Sequence, residues 1–266
     1  LETWEAKSVL DQAKRLGILQ IAFSGGEPLL REDIVELVQY AHDLGLITRL
    51  STNGLLLDHE RVSELKRAGL TLCGVSIDDA DPQTHDTLRG VPGAHAKVME
   101  GIRNLREFKI PCEILTYAAK SNVKSGMERI ITLGKRIGVQ SVYVFFPVAV
   151  GCWDRAFDRL LTEEEKTELR KFHQVTFVHV EIPTPHSMCC VLQKSVVYVS
   201  PYGDVTPCPF IPYIIGNVRS HTLDYLWQQY SAELNIECRG DCVMNEVKSR
   251  EALEKHVESV ALNVGL

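Results

Sequence analysis

From residue 1 to about residue 182 the sequence repeats one order: apolar residues at helical spacing, a short β-rich apolar run, a polar loop, then the next helical pattern. Val9, Leu10, Ala13 and Leu16 mark one face of a first helix within Leu1–Leu16, and Gly17 stops it. Strands are expected over Ile18–Phe23, Ile47–Leu50, Leu72–Ile77, Cys112–Tyr117, Val142–Phe146 and Val175–Ile182. Helices are expected near 31–44, 58–68, 94–108, 123–138 and 162–174. Asp58 is placed as an N-cap, Thr162 with Glu165 spells a capping box, and Gly45, Gly69 and Gly138 stand where helices end. Such alternation demands crossover connections, hence a parallel sheet in an α/β fold. An eight-stranded barrel takes about 250 residues, so six strands suit a partial (βα)6 barrel or an open sheet. The first helix feeds a strand but follows none, which leads to the expectation that the sequence starts inside the domain, with a first strand missing.

After residue 183 the texture changes. Pro183, Pro185, Pro201, Pro207, Pro209 and Pro212 break up helix, and Ser195–Ser200 with Asp204–Thr206 reads as a β-hairpin about Tyr202-Gly203. A short helix (Leu223–Tyr230), a Cys238–Cys242 loop and a last helix (Ser249–Leu262) follow. Two domains are therefore expected, 1–182 and 183–266, the second a small cysteine-rich appendage of hairpin and helix. The net charge of −6 argues against nucleic acid or an anionic membrane as partner. No apolar run reaches the roughly 18 residues of a membrane helix, and no signal peptide is read at the start. A soluble, cytoplasmic protein is the expectation.

Cysteine placement is uneven. Cys73 and Cys112 lie in apolar strand-like runs and read as small core hydrophobes, and Cys152 sits in a loop. Cys189, Cys190, Cys208, Cys238 and Cys242 fall in the last 80 residues. Clustered cysteines without a disulfide scaffold point to a metal or iron–sulfur centre.

In parallel α/β folds ligands meet the loops at the C-terminal ends of strands. Three such loops are rich in glycine and short polar side chains: Ser24-Gly25-Gly26-Glu27-Pro28, Ser51-Thr52-Asn53-Gly54, and Ser76-Ile77-Asp78-Asp79 with the following His85-Asp86-Thr87-Leu88-Arg89-Gly90 loop. Each alone is an ordinary turn. Three at successive strand ends are not.

In this order and spacing, Ser24-Gly-Gly-Glu-Pro28, Ser51-Thr-Asn-Gly54, Ser76-Ile-Asp78 and His85-Asp-x-x-Arg89-Gly90 resemble a radical S-adenosylmethionine (SAM) enzyme. The last part is similar to a SPASM/Twitch extension bearing auxiliary iron–sulfur clusters, through Tyr198-Val-Ser-Pro-Tyr-Gly203-x4-Cys208-Pro-Phe210, Gly216-Asn-Val218, Leu223-x-x-Leu-Trp227 and Cys238-x3-Cys242. The resemblance implies that Gly25, Gly26 and Glu27 hold the methionine amino group of SAM, and that Ser51 and Asn53 lie near the ribose. It also implies that Ser76, Asp78 and Arg89 address ribose and carboxylate, and that Val144 and Phe145 flank adenine. Its auxiliary cluster would take Cys190, Cys208, Cys238 and Cys242. Cys189 can replace Cys190, and four thiolates also suit structural zinc. His85 is read as a structural histidine rather than a base, and Trp227 with Leu223 and Leu226 as a helix face packed on the hairpin.

The resemblance departs at one point. The family's cluster motif, Cys-x3-Cys-x2-Cys on the loop after the first strand, is absent from the eight cysteines here. The expectation drawn is a chain that begins after that loop and is inactive by itself. Its catalytic residues are not assigned. What the resemblance implies for the whole protein is a [4Fe-4S] enzyme, an oxidoreductase that cleaves SAM to a 5′-deoxyadenosyl radical for hydrogen abstraction. Peptide or protein maturation comes first, with modification of haem-type tetrapyrroles as the alternative and a flavodoxin or ferredoxin as electron donor. A non-catalytic SAM- or partner-binding scaffold and a zinc-stabilised binding protein are the competing classes.

Overall fold

The computed structural model describes residues 1–181, 191, 193–232, 236 and 241–264. It divides into two compact units. One comprises 18–146 and 161–181, and the other 1–17, 147–160 and the described residues from 191 onward. The boundary expected near residue 182 is one join between them. Residues 1–17 and 147–160, read from sequence as parts of the first domain, pack instead with the C-terminal stretch.

The first unit runs β1 (Gln20–Phe23), α2 (Ile34–Asp43), β2 (Ile47–Thr52), α3 (His59–Arg67), β3 (Leu72–Ser76), α4 (Pro82–Arg89), α5 (Ala94–Glu107), β4 (Cys112–Tyr117), α6 (Ser125–Ile137), β5 (Ser141–Phe145), α7 (Glu163–Arg170) and β6 (Val178–Val180). The helix before β1, α1 (Thr3–Arg15), belongs to the other unit. The six strands pair in parallel in the order β1-β2-β3-β4-β5-β6. Parallel strands in sequential order need crossover connections, which as a rule are right-handed, so the helices gather on one face of the sheet. Side chains alternate between faces along a strand. A Cβ on Gly134 of α6 would lie 3.0 Å from Val142 and 3.4 Å from Ile114, so those residues and their alternates face the helices. Leu50, Val75, Ile114, Val142, Val144 and Val178 are each fully buried there.

The capping signals were honoured. The Asp58 carboxylate accepts from the Arg61 N–H at 2.8 Å, Thr162 and Glu165 form the capping box, and Gly45, Gly69 and Gly138 follow their helices at positive φ. One segment is corrected. His85–Gly90, read as loop, lies in α4, which Asp81 caps, Pro82 opens at its first position and Gly90 ends at φ 66°. The last strand is also shorter than expected, since a turn at Gln174–Phe177 precedes it.

In the second unit β7 (Tyr198–Val199), β8 (Asp204–Thr206) and β9 (Gly216–Asn217) form an antiparallel sheet, so the expected hairpin gains a third strand. Helices α8 (Leu223–Ser231) and α9 (Val247–Asn263) complete it. Leu226 lies so close over Gly216 that a Cβ there would clash with its side chain. Glu5 of α1 forms a bidentate ion pair with Arg219, and Gln12 Oε1 accepts from the Leu223 N–H at 2.6 Å. Among the described residues no helix is long and apolar enough to cross a membrane.

Candidate functional site

The three polar loops follow β1, β2 and β3, at the same C-terminal edge of three adjacent strands. Gly25 takes φ 123°, a conformation that requires glycine, and a Cβ on Gly26 would meet nothing within 4 Å. Both glycines are exposed, so their backbone is open to a ligand.

Glu27, expected with Gly25 and Gly26 to hold the methionine amino group, makes three hydrogen bonds inside the protein. Its Oε1 accepts from the Leu29 N–H at 3.0 Å and from Thr52 Oγ1 at 2.7 Å, and its Oε2 accepts from the Asn53 N–H at 2.7 Å. The carboxylate ties the end of β1 to the end of β2. Thr52 Oγ1 also accepts from the Gly54 N–H at 3.0 Å, and Asn53 Oδ1 from the Leu55 N–H at 2.9 Å. Gly54 has φ +81°, and a Cβ there would stand 2.8 Å from Val75 of β3.

Ser51 and Ser76 sit on the face without helices, half-buried, with Ser51 paired in register to Gly74. Asp78 and Arg89 meet each other: Arg89 Nε lies 2.6 Å from Oδ2, and Nη2 donates to Oδ1 at 3.0 Å. One edge of the Arg89 fork is thereby taken and the Nη1 side is left for a further carboxylate. His85 is 1% exposed, and its Nδ1 accepts from the Asp78 N–H at 3.2 Å. Asp86 accepts from the Gly93 and His95 N–H groups at 2.6 and 2.8 Å, and these bonds hold its carboxyl below the usual range. Both side chains accept from backbone N–H groups.

Val144 and Phe145 cannot flank the same ring. Val144 is buried against the helices, while Phe145 lies on the other face, its ring 6.0 Å from that of Tyr117. Only Phe145 stays a candidate.

The helix-free face holds a polar cluster that the sequence reading missed. Arg49 Nη2 lies 2.6 Å from Glu113 Oε2, and Ser141 Oγ donates to Glu113 Oε1 at 2.8 Å. The Arg49 guanidinium lies 5.0 Å from the centre of the Tyr143 ring, which stacks on His179 at 4.6 Å. The signal was a lone charge inside each of two apolar strands, both at positions of the same parity.

In the second unit Cys208 and Cys242 are both buried. Cys189, Cys190 and Cys238 lie outside the described residues, so half of the expected four-cysteine set is in view. Two buried thiols on separate loops fit a cluster or metal held by four sulfurs. Cys73 and Cys112 are paired in register inside the sheet, and burial pushes both thiols up, Cys112 to about 12. They are core residues. Cys152 is exposed.

Comparison with known proteins agrees with this geometry. The radical SAM superfamily model matches residues 3–133, and an iron–sulfur cluster-binding domain model, SPASM, matches 189–248. An AdoMet-dependent heme synthase of Methanosarcina barkeri is 31% identical over 93% of this chain and 80% of its own. A PqqA peptide cyclase of Bradyrhizobium diazoefficiens is 30% identical over 87% and 66%. Among solved structures, Streptococcus suis SuiB bound to S-adenosylmethionine superposes with a TM-score of 0.71 at 16% identity, over 94% of this chain and 68% of that one. The structure of anSMEcpe with bound AdoMet gives 0.67 at 16%, over 99% and 86%. With six parallel strands in sequential order, loops of this kind at one edge and two matching family models, the chain belongs to the radical SAM superfamily and carries a SPASM iron–sulfur domain.

Proposed function

We propose that the C-terminal edge of β1–β3 binds S-adenosylmethionine, in an enzyme that uses it to abstract hydrogen from its substrate. The observation that carries this is the brace at Glu27. A carboxylate that accepts three hydrogen bonds fixes two loops relative to each other, leaving the exposed backbone at Gly25 and Gly26 to face a ligand. Backbone carbonyls there would take the ammonium of the methionine moiety. Ser51, Asn53 and Ser76 supply hydroxyl and amide groups for the ribose, and the unpaired side of Arg89 suits the carboxylate. Asp78 serves by aiming Arg89.

The superfamily's cluster, when bound, supplies the electron that cleaves SAM. No three cysteines of this chain stand in the Cys-x3-Cys-x2-Cys spacing, so the residues named above are read as addressing SAM rather than that cluster. Cys208 and Cys242, with Cys238 and either Cys190 or Cys189, would hold the auxiliary centre.

Two substrate classes are open to this chemistry. Peptide or protein maturation fits the relatives named as peptide cyclases. A tetrapyrrole fits the relatives named as heme synthases, one of which aligns over the larger share of both chains. A one-electron donor such as a flavodoxin or ferredoxin and a cytoplasmic site belong to the same reading.

The test is anaerobic. The full-length protein, reconstituted with iron and sulfide, is given SAM and dithionite, and 5′-deoxyadenosine is measured with and without an iron porphyrin or a peptide. Formation above the no-enzyme background is expected, with whichever substrate is consumed setting the class. A background level under all conditions rejects the reading.

A further inference from the structure

We infer that His85 is a positioning residue for the SAM site: its ring grips the Asp78 backbone and thereby sets the Asp78–Arg89 pair against the strand edge. This rests on the reading of that edge as the SAM site. His85 and Arg89 are four residues apart on α4 and so share one face of the helix. Both reach the same residue after β3. His85 Nδ1 accepts the Asp78 N–H at 3.2 Å, and Arg89 takes both carboxylate oxygens. Asp78 is therefore held at its backbone by one turn of α4 and at its side chain by the next.

The ring is an expensive way to fill space. With Nδ1 accepting, the proton of the neutral imidazole sits on Nε2, which is buried with no hydrogen-bond partner among the described residues. A leucine would avoid that cost. What the histidine adds is an acceptor aimed at Asp78.

The groups facing the ring are Asp78 beyond β3, Asp86 and Arg89 on α4, and His95 on α5, whose ring stands edge-on at 5.7 Å. The carboxylates favour protonation, while Arg89 and His95 oppose it. Burial opposes it more and keeps the ring neutral to lower pH than an exposed histidine. A protonated Nδ1 would be a donor facing a donor, and the grip on Asp78 would fail.

SAM binding by calorimetry at pH 8 tests this, with folding followed by circular dichroism. His85→Leu, which fills the volume without the acceptor, should bind SAM about ten-fold more weakly at pH 8. His85→Asn, which keeps an acceptor that does not titrate, should bind like wild type at pH 8. Wild-type affinity in a folded His85→Leu, or an affinity in His85→Asn as weak as that expected of His85→Leu, overturns the proposal. An Arg89→Ala control separates the two readings. Loss of affinity there with none in His85→Leu sinks only the histidine's role, and full affinity in both sinks the site itself.

Discussion

Thr52 shows how one hydroxyl can organise a ligand edge. It donates to Glu27 and accepts from the Gly54 N–H while 2% exposed, so both bonds are shielded from water. Thr52→Val keeps the shape and deletes both bonds, leaving the Gly54 N–H without its acceptor. A loss of about 1–3 kcal/mol of stability is expected from one buried orphaned group, measurable by urea unfolding. Weaker SAM binding should accompany it, because the β1 and β2 loops lose a tie. Equal stability of variant and wild type would show the brace to be redundant. The composition of these loops was legible in the sequence, since glycines and short polar residues recur at three successive strand ends. The task of Glu27 was not. Two of its three donors lie 25 and 26 residues away, and only the parallel register of β1 on β2 brings them to it.

At the scale of elements, α4 and α5 form a pair whose helix starts rest on carboxylates. Asp81 accepts from Thr84 N and Oγ1, and Asp86 of α4 accepts from Gly93 N and His95 N at the start of α5. Both carboxyls are held below their ordinary values, chiefly by bonds from backbone N–H groups. A lowered folded pKa means stability that is complete above the unfolded value, about 3.9, and lost as pH falls through the folded one. The pair should hold through pH 5 and loosen below pH 4. Asp86→Asn should loosen it already at neutral pH, because an amide offers one acceptor oxygen where the carboxylate offers two. Limited trypsin digestion reads this out through cleavage after Arg89, next to the Gly90–Gly93 turn. Faster cutting of the variant is expected, and unchanged cutting would assign the pair's rigidity to apolar packing alone. Helix α4 carried its own sequence signals, Asp-Pro at the start and Gly at the end. It was missed because its exposed, polar residues show almost no apolar periodicity. The strands and longer helices were legible because their apolar periodicity is strong, with errors confined to the ends where turns decide.

The second unit is assembled from three distant stretches, and a buried guanidinium joins two of them. Arg250 of α9 is 6% exposed. It donates to the Ala149 carbonyl at 3.1 Å, to the Tyr213 hydroxyl at 3.2 Å and to Asp154, while Asn245 just before α9 donates to the Pro147 carbonyl at 3.0 Å. These groups fasten residues 147–154 to the segment that carries Cys242. Partners about a hundred residues apart leave no local pattern, which is why residues 147–160 were read as part of the sheet domain. The geometry sets the cost of a change. Arg250→Met fills much of the same space but leaves the buried Ala149 carbonyl without its donor, for about 1–3 kcal/mol. Arg250→Lys should not restore it, because an ammonium is a point donor and cannot span three acceptors set around a planar fork. Thermal melts of both variants, with proteolysis mapped to residues 147–160, should show parallel losses. Full rescue by lysine would mean that charge near Asp154, and not the fork, holds this segment in place.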